Sequence, residues 1–352
     1  MTKKAKVFVG LSGGVDSSVA ALRLKNAGFE VVGVFIKVWH PEFLVCNWES
    51  ERLDAMRVAA HLDIPFLTCD AEAAYRDYVA KYFISEYLAG RTPNPDVMCN
   101  KEVKFGEFMK FAKEYQADFI ATGHYARRID NESPELHRGV DSSKDQSYFL
   151  WSLTPEQLSF SLFPVGNSEK LAIREEAKQA GIPIADKKDS QGVCFLGHID
   201  IKDFLSHYVD INEGVVLNEA GEVIGTHQGA LIYTIGQRHG FNINEVSDKR
   251  TAYFVTAKNL ADNTITASPT KPVLVKQGEL KLTNTVLRKR PEVGEEFLIQ
   301  TRYRQNPVLA KILFTTEAET VLQLLEESEA VALGQSCVLY QGSHCIGGGI
   351  IS

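Results

Sequence analysis

The chain has 352 residues, 44% of them hydrophobic and 24% charged, with a formal net charge of −7. That length predicts two to three domains, and that composition excludes disordered, collagen-like and coiled-coil chains. No apolar run approaches the ~18 residues of a membrane helix, the run in Met1–Leu11 is too short for a signal peptide, and the acidic balance argues against a protein that coats nucleic acid unspecifically; the expectation is a cytoplasmic protein with no membrane partner.

The first third alternates short apolar runs with amphipathic ones. Ala5–Leu11 reads as a strand, Ser17–Ala27 as a helix, Val31–Ile36 as a strand and Glu49–Leu62 as a helix. Pro65–Cys69 reads as a strand, Ala71–Ala89 as a longer helix, Lys101–Tyr115 as a helix and Asp118–Thr122 as a strand. Such alternation with Val/Ile/Phe-rich strands predicts an α/β domain, a parallel sheet covered on both faces. Ser168–Ala180 reads as a further helix, with Ser168 as N-cap and Gly181 just past its end. Beyond Asp203 glycines become frequent, and short alternating runs such as Ala230–Ile235 and Ala252–Ala257 replace helices. From Pro272 on, Val273–Lys276, Glu296–Thr301, Val308–Phe314, Thr320–Leu325, Ser336–Tyr340 and Cys345–Ile351 follow between Pro and Gly. That spacing predicts a small barrel or sandwich. Three domains result: a parallel-sheet domain at 1–203, a small α+β central domain at 204–272, and an all-β, barrel-like domain at 273–352.

Ser12-Gly13-Gly14-Val15-Asp16-Ser17-Ser18 lies between the first strand and the first helix. Two glycines let the backbone turn tightly and aim N–H groups into a concavity, and the following helix adds unpaired amides and a positive dipole end. The strand's carboxyl end is also where open α/β sheets bind ligands. The loop reads as a phosphate cradle. It matches neither G-x-x-x-x-G-K-[ST] nor G-x-G-x-x-G, which argues against a Walker-type NTPase and a dinucleotide fold.

Six cysteines stand at 46, 69, 99, 194, 337 and 345, none in a Cys-x-x-Cys pair, so a zinc ribbon has no support and no metal-binding cluster is expected. Cys46, Cys69, Cys337 and Cys345 read as small buried hydrophobes. Cys99 closes the dense stretch Arg91-Thr92-Pro93-Asn94-Pro95-Asp96-Val97-Met98-Cys99. Two prolines predict a stiff extended loop there, and Asn100 reads as the N-cap of a helix starting at Lys101. A thiol just before a helix N-terminus, with Lys101 and Lys104 nearby, favours thiolate; from the residues alone Cys99 is either that reactive thiol or a buried structural one. Asp96 has the chemistry of an acid or base. Cys194 stands in the polar loop Lys187–Gly197, a plausible place for a partly exposed thiol.

Between Lys271 and Lys311 nine Lys or Arg face four Glu, whereas Ile312–Ser352 holds five Glu and no Lys or Arg. This segregation predicts a face that meets a polyanion.

Taken in order, these motifs identify a family. Ser-Gly-Gly-x-Asp-Ser resembles the PP-loop of ATP pyrophosphatases. The loop, Thr92–Asp96 with Cys99–Glu102, Ala121–Arg127, Lys144–Leu150, Asp189–Phe195, Tyr233–Arg238, Arg302–Arg304 and the closing Gly347–Gly349 together resemble the bacterial tRNA-specific 2-thiouridylases over essentially the full chain. The resemblance implies a PP-loop catalytic domain that adenylates the C2 oxygen of the wobble uridine, position 34 of tRNA, from ATP with Mg²⁺ as co-substrate and no tightly bound cofactor. Sulfur then displaces AMP.

By resemblance Gly10, Leu11, Ser12, Gly13, Gly14, Val15, Asp16, Ser17, Ile36 and Gly123 form the ATP site, with Mg²⁺ near Asp16. Cys194 carries a persulfide received from a sulfur-relay protein or cysteine desulfurase, Cys99 resolves it through a transient Cys99–Cys194 disulfide, and Asp96 is the acid/base. Asn94, Pro95 and Asp96 adjoin the target base, and Lys144, Asp145, Gln146, Arg302 and Tyr303 contact the anticodon stem-loop. The base must leave its stack to react. Ile36–Glu42 departs from the family's Met-Lys-Asn-Trp-like run, which bears on adenine packing. The rival readings are another PP-loop enzyme, such as an amidotransferase-coupled synthetase or a tRNA lysidine synthetase, which would share residues 5–18 but not need the cysteines, and a nucleotide sensor that never turns ATP over.

Overall fold

The computed structural model describes residues 4–44, 48–188, 200–244, 251–274 and 277–352. Its first part is a five-stranded sheet of β1 (Lys6–Gly10), β2 (Glu30–Lys37), β3 (Phe66–Asp70), β4 (Phe119–Ala121) and the short strand Ser161–Leu162, ordered β3-β2-β1-β4-Ser161–Leu162, with every pair parallel. The apolar run of β1 serves two cores at once because side chains alternate across a strand. Val7 and Val9 pack with helices α1 (Val15–Asn26), α2 (Trp48–His61) and Lys170–Gln179. Phe8 faces the other side, against the helical stretches 72–88 and 95–114. The chain leaves β1 for β2 on one side and β4 lies on the other, so the Gly-Gly loop sits at a topological switch point.

Several local expectations change. The helix expected at Ser168 starts at Lys170 with Glu169 as N-cap; the Ser168 hydroxyl instead accepts from Arg23 at 2.9 Å. Asn100 is not an N-cap. The helix has already begun at Pro95, and Asn94 caps it through its side-chain oxygen, which accepts from Val97 N. Proline is compatible with that start because the first helical N–H has no partner to lose. Helix then continues through a wide π-type stretch, Cys99–Glu107, where a Cβ on Gly106 would lie 2.9 Å from Lys101 O. Ala230–Ile235 is no strand: it opens as a 3₁₀ turn, Ala230–Ile232, after Gly229 at φ +127°.

The central part is a five-stranded sheet ordered Phe241–Ile243, Val223–His227, Gly214–Leu217, Thr264–Ser268, Phe254–Asn259. The last part closes into a six-stranded barrel, because Glu279–Leu287 pairs with both Glu319–Leu324 and His344–Ile351. Alternate residues fill it, among them Leu280, Leu282, Phe297, Ile299, Leu322, Leu324 and Leu339. The closing glycines belong to this seam: Gly347 has φ +145° and a Cβ there would meet Val286 O at 1.9 Å. A hairpin of the first domain, Ala126–Asp130 with Pro134–Arg138, extends the barrel sheet through the pair His137–His344. That hairpin was not expected, since its charged strands carry little apolar alternation. Among the described residues no helix is long and apolar enough to cross a membrane.

Candidate functional site

The phosphate loop is built by steric necessity. Gly13 has φ +68°, and a Cβ there would fall 2.6 Å from Glu51 O. Gly14 is the N-cap of α1 and offers no side-chain cap, so the first amides of the helix stay available to an anion. Ser12 N donates to Ser17 Oγ at 3.3 Å, the two hydroxyls are 3.3 Å apart, and Ser17 Oγ donates to Gly14 O at 3.1 Å. Gly10 and Ile36 line the floor: a Cβ on Gly10 would touch Ile36 Cδ1 and Phe108 Cε1 at 3.6 Å. Leu11 and Val15 are buried and hold the loop to the sheet. Gly123, at the end of β4, admits no side chain, because a Cβ would meet Ser17 N at 2.6 Å and Asp16 C at 2.8 Å.

Asp16 is not free. Lys170, itself 8% exposed, places Nζ 2.7 Å from both carboxylate oxygens, and Tyr125 OH donates to Oδ1 at 2.7 Å. The rim opposite is charged as well. Lys187 Nζ donates to Asp54 Oδ2 at 2.8 Å and holds the Asp54 carboxyl below its ordinary range, while burial raises that of Glu51. Lys170 and Tyr125 escaped the sequence reading; their signal is weak, a lysine opening a helix and a tyrosine within a motif.

Asp96 and Cys99 lie three residues apart, on one side of the first helical turns after Asn94. Burial raises the Asp96 carboxyl, and the Lys104 ammonium lowers it by a smaller amount. Cys99 is 3% exposed in the core behind the loop, as the fifth residue of a helix already under way and not just ahead of one. The same Lys104 acts on His124, which burial keeps far below its ordinary value, hence neutral. Thr122 Oγ1 and His124 Nδ1 share a hydrogen bond of 2.8 Å. Asn100 Nδ2 donates to Phe149 O at 3.1 Å, but its buried Oδ1 has no partner among the described residues. Gly123 thus seats the phosphate loop, and its neighbour His124 faces the lysine that also faces Asp96.

The loop before Asp96 is gripped from two sides. Thr92 N donates to Leu333 O at 2.8 Å, Gln335 Nε2 donates to Thr92 O at 2.8 Å and Pro93 O at 3.2 Å, and the Thr92 and Thr234 hydroxyls are 3.0 Å apart. The Asn94 side chain bonds Tyr148, whose hydroxyl donates to Ser336 O. Pro95 is buried.

Of the stretch assigned to tRNA, Lys144 is half-buried. Asp145 is 7% exposed and accepts from Gly139 N, Ser147 N, Ser147 Oγ and Arg138. Gln146 accepts from Tyr125 N at 2.9 Å. Arg302 donates to Ile235 O at 2.9 Å and Ala330 O at 3.1 Å. Tyr303 packs on Phe149 at 4.5 Å and under the Arg304 guanidinium. Arg302 to Gln305 face Ser328 and Glu329 across an open groove. Part of the basic segment is paired within the chain: Lys281 with Glu319, Lys289 with Glu295 and Lys271 with Glu329, while Lys276 lies outside the described residues.

Cys194, its whole Asp189–Phe195 motif and Cys46 also lie outside the described residues. The flanks are placed: Lys187 is anchored at the loop rim, and Asp200 caps the helix Ile201–Ser206, whose Phe204 packs on Phe83. The remaining thiols are inert by burial, which pushes Cys69 up to about 12 and raises Cys337 and Cys345.

Three domain families match in succession: a tRNA methyl transferase HUP domain at residues 5–198, a tRNA methyl transferase PRC-barrel domain at 202–269 and an aminomethyltransferase beta-barrel domain at 278–351. The chain is 44% identical to a tRNA-specific 2-thiouridylase MnmA of Shewanella denitrificans, covering 98% of this chain and 95% of that protein. It is 43% identical to one of Bacillus pumilus, covering 100% and 96%.

Proposed function

The chain belongs to the tRNA-specific 2-thiouridylases, and from that premise we propose that its site activates the C2 oxygen of the wobble uridine of tRNA with ATP and replaces it with sulfur. The observation that carries this reading is the Gly123–His124 step: Gly123 seats the anion cradle, and His124 faces Lys104, which also faces the half-buried Asp96, three residues before the Cys99 thiol. Methyl transfer, which two of the domain descriptions name, has no use for that combination. Thiolation uses all of it.

The residues divide the work. Loop amides from Ser12 to Ser17 cradle the β- and γ-phosphates, and Gly10, Leu11, Ile36 and Gly123 shape the nucleotide pocket. Magnesium bound by the phosphates would screen their charge there. Asp16 is the nearest carboxylate, and Lys170 supplies a further cation to the same corner. The uracil C2 oxygen is a very poor leaving group; adenylate transfer turns it into AMP, with pyrophosphate left in the cradle. Asp96, protonated more readily than an exposed aspartate, holds or returns a proton at the base. Cys194 carries the persulfide, and its outer sulfur ends on C2 as AMP leaves. Cys99 takes up the inner sulfur as a Cys99–Cys194 disulfide, which an external thiol reduces before the next turn. Asn94 and Pro95 would shape the base pocket, and Lys144, Asp145, Gln146, Arg302 and Tyr303 would form the tRNA face. Asp145, Gln146 and Arg302 act there mainly by holding backbone in place.

Purified chain supplied with Mg-ATP, a persulfurated donor and a tRNA transcript should form 2-thiouridine. Cys99→Ser and Cys194→Ser should each abolish it while tRNA-dependent pyrophosphate release continues, and Asp16→Ala should abolish that release. An unmodified transcript with wild-type chain, or full thiolation by either serine variant, would overturn the reading.

A further inference from the structure

Strand geometry brings three metal-ligand side chains together outside the phosphate loop. Glu135 and His137 are two apart on the strand Pro134–Arg138, so they share one face. His344, first residue of the barrel's last strand, is the direct cross-strand partner of His137. The potential ligand atoms of all three lie within 4.8 Å of one another. Glu135 Oε2 is 2.9 Å from His137 Nε2 and 3.9 Å from His344 Nδ1, and the two imidazoles are stacked at 4.9 Å. Ser343 Oγ lies 3.0 Å from His137 Nδ1. That is the second contact a ligating histidine needs to fix its tautomer with Nε2 facing the carboxylate. All three residues are half-buried, sheltered yet reachable by an ion.

We propose that Glu135, His137 and His344 form a binding site for a divalent transition-metal ion of the zinc class, which staples the hairpin of the first domain to the C-terminal barrel.

Two imidazoles and one carboxylate are a common zinc ligand set and leave a fourth position for water. Calcium or magnesium fits poorly, since those ions demand several oxygen ligands and only one carboxylate is present. Tetrahedral ligands at about 2.1 Å from zinc stand about 3.4 Å apart, so the rings need only tilt toward each other, a side-chain motion. The surrounding field is mixed: Glu135 favours a cation, whereas Arg288 and Lys289 oppose one at His344. Binding must therefore come from coordinate bonds rather than from charge. The site lies on the hairpin that starts at Ala126, directly after Tyr125, whose hydroxyl holds Asp16.

The full chain, stripped with a chelator, is titrated with Co²⁺ as the spectroscopic probe and then with Zn²⁺ alone. One Co²⁺ per chain should give visible bands of a nitrogen/oxygen site without the thiolate charge-transfer band that cysteines would produce, and Zn²⁺ should displace it and raise the melting temperature. His344→Gln and His137→Gln should each lose the spectrum and the Zn²⁺-induced shift while keeping the metal-free melting temperature within a few degrees. Binding that shows thiolate bands, binding unchanged in both variants, or no Co²⁺ uptake by wild type at micromolar concentration overturns the proposal.

Discussion

Burial at Asp96 sets a pH dependence. Its carboxyl is raised in the folded chain, so between the unfolded and folded values the native state holds a proton that the unfolded state has released. The stability tied to this group is complete below the unfolded value and is lost as pH rises through the folded one. Asp96→Asn should therefore melt higher than wild type near pH 8, with the gap closing below about pH 4, and should thiolate tRNA far less. A variant that melts lower near pH 8 would show the carboxylate to be stabilised by its surroundings instead. Lys170 allows a second expectation. Lys170→Met should cut tRNA-dependent pyrophosphate release about 100-fold, the usual cost of removing one charged stabiliser of a transition state, with circular dichroism unchanged. Asp96 was visible in the sequence because it stands in a rigid motif; Lys170 was not, because only folding brings residue 170 to the side chain of residue 16.

At the scale of elements, two contacts decide whether the site assembles. The β4 terminus must approach the start of α1 so closely that Gly123→Ala would press a methyl group into Ser17 N. We expect that variant to keep its helical signal and lose at least about 10-fold in apparent ATP affinity, since the displaced amides are the anion ligands; equilibrium binding with labelled ATP measures it. Strand and helix alternation was legible because apolar runs of β1, β2 and β4 are buried on both faces. The start of the Asp96–Cys99 helix was not, since Pro93 and Pro95 speak for a loop until the Asn94 cap is seen. The hairpin 126–138 was also missed. Arg127 and Arg128 donate to backbone carbonyls of Arg138, Ser159 and Ser161, and Arg128 also pairs with Asp130, a use of arginine that no alternation pattern reveals.

Across the whole molecule, buried polar links join the parts. Arg288, half-buried, donates to the carbonyls of Trp151, Leu153 and Cys345. Arg288→Met should destabilise the chain by about 3 kcal/mol, because three buried acceptors lose their donor; urea denaturation tests it. The three-part architecture could be read from changes of texture along the chain. The use of single charges could not: counting Lys and Arg between 271 and 311 predicts a basic face, but does not show that the fold turns Arg288 onto backbone carbonyls and pairs Lys271 and Lys281 with glutamates distant in sequence. Gln335→Ala frees the Thr92 and Pro93 carbonyls and should lower thiolation several-fold with ATP binding intact; an equal loss in both assays would place the effect elsewhere.

The anchoring of Thr92 has a practical result. One end of its segment is bolted to both β-rich parts, and the other runs straight into the turn bearing acid and sulfhydryl, whereas the triphosphate cradle is built within the parallel-sheet domain. Loosening the barrel by heat, chaotrope or a nick should thus disable sulfur insertion first while ATP is still held, so that a failing enzyme would keep its fuel bound but unspent.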